Sequence, residues 1–419
     1  MRPALLCLAA ATVALATGCG EVAPATSPIT GLPRDLTPSE TRLVSAGNEF
    51  AFRLFGAIAR AAGPDSNLFV SPLSAGMALG MTYNGAAGTT QAAMQRTLGL
   101  DAMSLHDVDA SYRGVIALLR GLDPRVDFTL ANSIWYRRDY TFEQTFLDTC
   151  ATFFDAAVRG LDFAAADAAP TINGWVSEQT RGRIPSIVSD PIPDAMVMYL
   201  INAVYFKGTW VTPFDPDRTA PAAFTLAGGA SVQVPTMRYG SEAWVRTAAD
   251  ASVQVLDLRY GGGAYSMTIV MPRDPAGMPA LLAGLTRQQW DGWIAALDST
   301  RALVVMPKFT LTYGLKLNDA LDSLGMGVAF VACPATPDCA DFTRMRSVRD
   351  LFISEVVHKT FVDVNEQGTE AAAATSVGVG ATAMPLPLAV DRPFLFAIRE
   401  RFSGTILFLG RMMNPAAAS

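Results

Sequence analysis

Histidine is the scarcest reactive residue in this chain: 419 residues carry only His106 and His358. Five cysteines and four lysines, Lys207, Lys308, Lys316 and Lys359, are nearly as few. A multi-histidine metal centre is thereby excluded, and any Ser-His-Asp machinery would have to use one of those two imidazoles. Positive charge is short as well. Thirty-two Lys plus Arg stand against 38 Asp plus Glu, a formal charge of −6. Phosphate neutralisation needs clustered basic residues, so no nucleic-acid partner is expected.

Catalytic signatures are missing too. None of the four lysines follows a glycine, which removes a Walker-type phosphate loop. No serine stands three before a lysine or inside Gly-x-Ser-x-Gly, and Gly261-Gly262-Gly263 reads as a loop rather than a dinucleotide fingerprint. No catalytic residue, metal or cofactor is expected. His106 reads as solvated, and His358, in the strand-like Val356-Val357-His358, reads as a hydrogen-bonded structural residue. What is abundant is apolar material: half of the residues are hydrophobic and 17% charged, enough for one large domain or two ordinary ones.

Arg2 precedes an apolar stretch from Ala4 to Ala16 broken only by Thr12, the length of a signal-peptide core and too short to span a bilayer. Leu15-Ala16-Thr17-Gly18-Cys19 is similar to the lipobox of bacterial lipoprotein signals, in which cleavage before the cysteine frees it for diacylglycerol attachment. On that reading residues 1–18 are a lipoprotein-type signal peptide and Cys19 carries the lipid. Residues 19–38, rich in Pro, Thr, Ala and Gly without a hydrophobic period, then form a flexible tether. The chain is expected to be exported and held on a membrane by its lipid anchor alone, at the cell surface or in a periplasm. An ordinary secretory signal, giving a secreted protein, is the alternative. Beyond Cys19, Cys333 and Cys339 bracket the turn-rich Pro334-Ala335-Thr336-Pro337-Asp338; an oxidising compartment favours a local disulfide there, with a metal pair the weaker reading. Cys150 is left as a buried free thiol.

Thr37-Pro38-Ser39-Glu40 combines an N-cap, a proline at the first helical position and a glutamate three after the cap. Leu43, Phe50, Leu54 and Ile58 continue it at helical spacing. Ser71-Pro72 is a second helix start. Beyond residue 120 strand patterns dominate: Phe128, Leu130, Asn132 and Ile134 alternate, and Met196 to Phe206 is an almost unbroken apolar run, as in a central strand covered on both faces. Further strands are predicted at Val232 to Val234, Val253 to Leu258, Ser266 to Met271, Leu303 to Thr312, Leu351 to Val364 and Phe394 to Gly410. Helices are predicted near Met278 to Leu297 and Leu315 to Leu324. Helices concentrate early and strands late, without βαβ alternation, which predicts one α+β domain over residues 39–416. One segment breaks the pattern. Glu366 to Pro387 holds about twenty small residues between two strand-like stretches, and loops of that length inside a domain are usually functional or disordered.

Four stretches in order resemble the serpins, over essentially everything after the tether. They are Asn67 to Ser74, Asn202 to Trp210, the hinge-like Glu366 to Thr375, and Asp391 to Phe396 with Phe408 to Arg411. The resemblance implies the serpin fold, with three β-sheets, eight or nine helices and an exposed reactive-centre loop at about 366–390. It implies a protease inhibitor, not an enzyme. A serine protease attacks the loop, an acyl-enzyme forms, and the cleaved loop inserts as a new strand into the main sheet. Insertion needs hinge residues that enter a sheet without clashes. Gly368 gives backbone freedom, Thr369 and Thr375 are tolerated in strands, and Ala371, Ala372, Ala373 and Ala374 have almost no volume. With period two, Thr369, Ala371, Ala373, Thr375 and Val377 share one face, assigned to the buried side.

By the same resemblance Ser71, Ser74, Asn202 and His358 form the hydrogen-bonded cluster beneath the opening of the main sheet, the shutter. Trp210 marks the top of the sheet, the breach, and Lys308 pairs with Glu366 there. Counting about sixteen residues from Glu366 places the scissile bond at Thr382-Ala383, within a residue or two. Its neighbours are small, which suits elastase-like or subtilisin-like serine proteases rather than trypsin-like ones. A monomer is expected. The alternative is a non-inhibitory serpin acting as a surface binding protein, a class that usually carries charged, bulky or proline residues in the hinge. Gln367, where a second acidic residue is common, is a mild departure from the inhibitory pattern.

Overall fold

The computed structural model describes residues 27–333, 338–369 and 387–418. Helix α1 (Pro38–Ala61) starts where the cap signal places it. Thr37 Oγ1 accepts from the Glu40 amide at 3.2 Å, and the Glu40 carboxylate accepts from the Thr37 amide at 2.8 Å. The segment before it is not free throughout. The Ile29 amide donates to Gly262 O at 2.8 Å, its side chain packs against the core, and Arg34 pairs with Glu40 at 2.7 Å. Within the expected tether of residues 19–38, Ile29, Leu32 and Leu36 are half-buried, because their apolar surface favours the body over water.

Strand β1 (Leu68–Val70) runs through the Ser71 cap into α2 (Pro72–Gly85), whose surface is buried almost all round. The remaining elements of the first half are α3 (Gly88–Leu98), α4 (Leu105–Leu119), β2 (Val126–Arg137) and α5 (Gln144–Phe154). They are followed by β3 (Ala156–Leu161), α6 (Ala168–Gln179) and the central β4 (Met198–Thr209). Next come β5 (Asp215–Thr225), β6 (Ser231–Arg238), β7 (Ala243–Ala249), β8 (Val253–Tyr260) and β9 (Tyr265–Pro272). Helices α7 (Met278–Gly284) and α8 (Arg287–Ala295) lead into β10 (Asp298–Pro307), β11 (Phe309–Lys316) and α9 (Asn318–Leu321). The chain ends with β12 (Val357–Asn365), β13 (Gly368–Thr369), β14 (Pro387–Ala389), β15 (Phe394–Glu400) and β16 (Ile406–Met412). Nine α-helices are thus present among the described residues, none long and apolar enough to cross a membrane.

One sheet has six strands in the order β11-β12-β13-β4-β2-β3. The other strands form one network, β1-β16-β15-β9-β8-β7-β10-β6-β5, with β14 added on β10. Strand β10 divides that network: residues 298–302 pair with β7, while 303–307 pair with β14 and β6. The three expected sheets are thus two hydrogen-bonded networks, the larger made of two sheets that share one strand. Helices α1, α2, α4 and α5 cover one core; a second, aromatic core lies between the sheets, where Phe69 stacks on Phe396 and Phe408 at 5.7 and 5.1 Å.

Several boundaries depart from the sequence reading, and the predicted strand Leu303 to Thr312 is divided between β10 and β11. The predicted strand from Leu351 begins only at Val357, because Ile353 N and Val356 N bond to Ala329 O and Asn318 Oδ1 rather than to a strand. The stretch Phe394 to Gly410 is two strands, reversed at Arg401 to Thr405 with Gly404 at φ 78°. The helix near Met278 to Leu297 is broken between α7 and α8, and pairing with β12 holds β11 extended to Lys316 and leaves α9 one turn long.

Cys333 and Cys339 are disulfide-bonded, and Cys150 is a buried free thiol. A fully buried ion pair joins Asp257 on β8 to Arg399 on β15, at 2.9 Å across β9 with side chains 0% and 2% exposed. Ser266 and Thr268 hydroxyls also donate to Asp257 Oδ1, at 2.8 and 2.6 Å, and Arg399 Nε donates to Thr268 Oγ1 at 2.8 Å. Burial pushes the Asp257 carboxyl up, but Arg399 and the two hydroxyls outweigh it and hold the group below the ordinary range.

Candidate functional site: the hinge and the opening of the central sheet

Strand β13 is the first piece of the expected hinge, and it already lies in the six-stranded sheet. Gly368 pairs with Asn365 on one side and Thr209 on the other; Thr369 pairs with Val364 and Gly208. Gly368 could be no other residue here. A Cβ on it would stand 2.0 Å from Gly208 O and 2.7 Å from Thr209 Cα, at a φ of +156°. Thr369 is buried, and its Oγ1 shares a 2.8 Å hydrogen bond with Tyr260 OH. Glu370, Ala371, Ala372, Ala373, Ala374, Thr375 and Val377, like Thr382 and Ala383 of the expected scissile bond, lie outside the described residues, as does Cys19.

Around β13 the breach residues meet. The Trp210 ring stacks on Tyr260 at 4.3 Å, its Nε1 donates to Asn365 O at 2.9 Å, and its amide donates to Gln367 O at 2.7 Å. Lys308 Nζ pairs with Glu366 Oε2 at 2.9 Å, and Thr219 Oγ1 donates to Glu366 Oε1 at 2.8 Å. Burial alone would raise the Glu366 carboxyl; Lys308, the residue's own amide and Thr219 reverse that and hold it below the ordinary value. The hinge is thus held by a stacked aromatic pair, a half-exposed ion pair and two backbone ladders.

Further down the sheet, Ser71, Ser74, Asn202 and His358 converge. The Ser71 amide donates to His358 Nε2 at 2.9 Å and its hydroxyl to Leu407 O at 2.8 Å. The Ser74 amide donates to Ser71 Oγ at 3.2 Å, and the Ser74 hydroxyl to Asn202 O at 3.2 Å. Asn202 Nδ2 donates to Asn132 Oδ1 at 2.7 Å, and Asn132 Nδ2 to Phe154 O at 2.6 Å. Among the described residues, β4 and β12 pair with β13 and not with each other. Between their lower halves is a cavity of about 210 Å³ lined by Met198, Leu200, Phe342, Met345, Leu351 and Val356.

Burial holds His358 well below the usual imidazole value, at about 4, so it is neutral at pH 7 and Nε2 can accept from Ser71. A proton that the unfolded chain takes up near pH 6.5 is refused by the folded chain until about pH 4. The stability contributed by neutral His358 is therefore full above about pH 6.5 and is lost as the pH falls through that window, by about 3 kcal/mol at the acid end. We expect the urea midpoints of the wild type and His358→Asn to converge between pH 7 and pH 4; a constant gap would contradict this.

Three residues of the site were not singled out for it by sequence. Asn132 stood in the inward set of its strand as the one polar member, which was its signal. Tyr260 and Thr219 gave none, because their hydrogen bonds join segments more than a hundred residues apart.

The comparisons agree with this geometry. The family model described as Serpin (serine protease inhibitor) matches residues 45–415. Leukocyte elastase inhibitor A of Rattus norvegicus is 34% identical over 386 residues, covering 89% of this chain and all of the relative. Neuroserpin of Homo sapiens is 32% identical over 366 residues, 85% of this chain and 88% of the relative. Among solved structures, the thermophilic serpin tengpin in its native state superposes with a TM-score of 0.80 at 30% identity, covering 93% of this chain and 97% of that one. Human thyroxine-binding globulin complexed with thyroxine superposes at 0.80 with 27% identity, covering 90% and 99%. With the double-sided pairing of its hinge and a family match over almost the whole folded part, this chain belongs to the serpin family.

Proposed function

We propose that the chain is a single-use, irreversible inhibitor of serine proteases, elastase-like or subtilisin-like. The observation that carries this reading is β13: Gly368 and Thr369 are paired on both sides, in register for the residues after them to continue the same strand between β12 and β4. The protease serine attacks the Thr382 carbonyl, the Thr382–Ala383 peptide bond breaks, and the Ala383 amine leaves with the C-terminal fragment. Thr382 stays bound to the serine as an ester. Extension of β13 down the sheet then carries the esterified enzyme away from the breach. The likeness to a leukocyte elastase inhibitor supports the choice of target, and small residues at 379–382 suit a shallow specificity pocket. A second reading, a surface binding protein, is favoured by the equally high superposition on a thyroxine carrier. The chain is further proposed to be a monomer, anchored to a membrane through Cys19 and otherwise free of it.

Incubation with pancreatic-type elastase and with subtilisin is expected to give a detergent-stable adduct of one protease per chain, with loss of protease activity. Cleavage of the loop with the protease still active would refute inhibition and favour the binding protein. Fractionation of the same preparation tests the anchor: the full chain should follow membranes and Cys19→Ser should not.

A further inference from the structure

Five of the six tryptophans are buried or half-buried; Trp244 on β7 is 64% exposed and has no ring partner among the described residues. It stands opposite Arg301 in the β7–β10 ladder, and Arg301 reaches Glu242 at 3.6 Å in a half-exposed ion pair. Exposed apolar surface of this size contributes nothing to the fold, and tryptophan and arginine are the residues most enriched where a few side chains carry the energy of an interface. Two nearby positions extend the patch toward the loop: Leu303 is half-buried, and Pro387, its partner in β14, is exposed.

The register fixes which way the patch lies. Strand β14 is the continuation of the reactive loop, and it pairs with β10 in parallel, Leu303 with Pro387 through Val305 with Ala389. Because the two strands run in the same direction, the part of β10 on the loop side is its N-terminal half, where Arg301 faces Trp244. Trp244 is one strand beyond β10 and two residues back, about 12 Å from Pro387. Pro387 is in turn four residues from Ala383, at most about 14 Å of chain. An ordinary interface covers about 800 Å² per partner, a disc about 32 Å across. Trp244 is therefore within about 26 Å of the scissile bond, inside the span of one such footprint and on the side of the residues that follow that bond.

We infer that Trp244 and Arg301 form a second contact for the target serine protease, taking an apolar patch bearing a carboxylate beside the primed side of its cleft. This rests on the inhibitor reading, and the test separates the two. Wild type, Trp244→Ala and Arg301→Glu are compared in two assays against elastase and subtilisin: the rate of adduct formation with active enzyme, and direct binding to enzyme whose catalytic serine is replaced by alanine. Both variants change exposed side chains, and unchanged thermal unfolding confirms that they fold. The contact predicts a fall of about tenfold in rate and in affinity for at least one enzyme, with adduct stoichiometry unchanged. Adducts at unaltered rates would overturn the contact and leave the inhibitor standing. Absent adducts with Trp244-dependent binding would do the reverse, and neither adduct nor binding with either enzyme would overturn both.

Discussion

On the proposed inhibitor reading, Gly368→Val is expected to turn the chain from an inhibitor into a substrate. The atoms a Cβ would meet at 2.0 and 2.7 Å are Gly208 O and Thr209 Cα, both backbone of the central strand β4, so no side-chain rotation can make room. A β-branched residue is in addition strained at a φ of +156°. The hinge would have to leave one ladder, and with it the Thr369–Tyr260 hydrogen bond that fixes the next residue. Insertion would then start from an expelled hinge and lose its race with deacylation. With elastase or subtilisin, at least tenfold more of the variant than of the wild type should be cleaved per adduct formed, as read by gel densitometry and intact mass. Equal partition would mean that the double-sided pairing of β13 does not set the speed of insertion. Tyr260→Phe keeps the ring stack on Trp210 and removes only the hydroxyl; its effect should be smaller, on the scale of one hydrogen bond, about 1 kcal/mol.

Arg399→Ala is expected to give the largest loss of stability. Its removal strands Asp257, a fully buried carboxylate whose Oδ2 has no partner among the described residues. Breaking such a pair by deleting one member costs about 3–5 kcal/mol, well above the effect of an average substitution. Removing both charges is a different matter. Asp257→Asn with Arg399→Met leaves amide and thioether groups that Ser266 and Thr268 can accommodate, so the double variant should recover most of the loss. Urea unfolding of the wild type, both single variants and the double closes the cycle. A cost below about 1 kcal/mol for Arg399→Ala would show that the pair is replaceable by its hydroxyl neighbours.

The sequence made some of this legible and hid the rest for physical reasons. The Thr37 cap and the Met196 to Phe206 run depend on nearest neighbours and on burial from both sides, and both appear where predicted. Where a strand continues through a residue without an apolar period, as β11 does to Lys316, only the partner strand decides, and sequence order is silent. The stretch Leu351 to Val356 looked like strand because it is apolar, yet its backbone is satisfied by Asn318 and Ala329. At the candidate site, Ser71, Ser74, Asn202 and His358 came from resemblance, not from spacing. Their meeting joins segments near residues 71, 202 and 358, and the structure adds Asn132 from a fourth. Asp257 and Arg399 gave no signal in sequence order: each has another charge close by in its own strand, Arg259 and Glu400, and only the sheet brings the two together across β9.

The docking of Ile29 on Gly262 has a consequence for reach. With Cys19 as the proposed lipid site, only ten peptide steps separate the anchor from the body, at most about 35 Å of extended chain. A folded unit of this length is about 50 Å across. On that proposal the leash is shorter than the body it would hold, so the body would not turn over freely above the membrane, and its loop would sweep a thin shell rather than the open volume. A proposed trap so mounted would guard a surface: it would meet proteases that approach the membrane and miss those that stay one molecular diameter away.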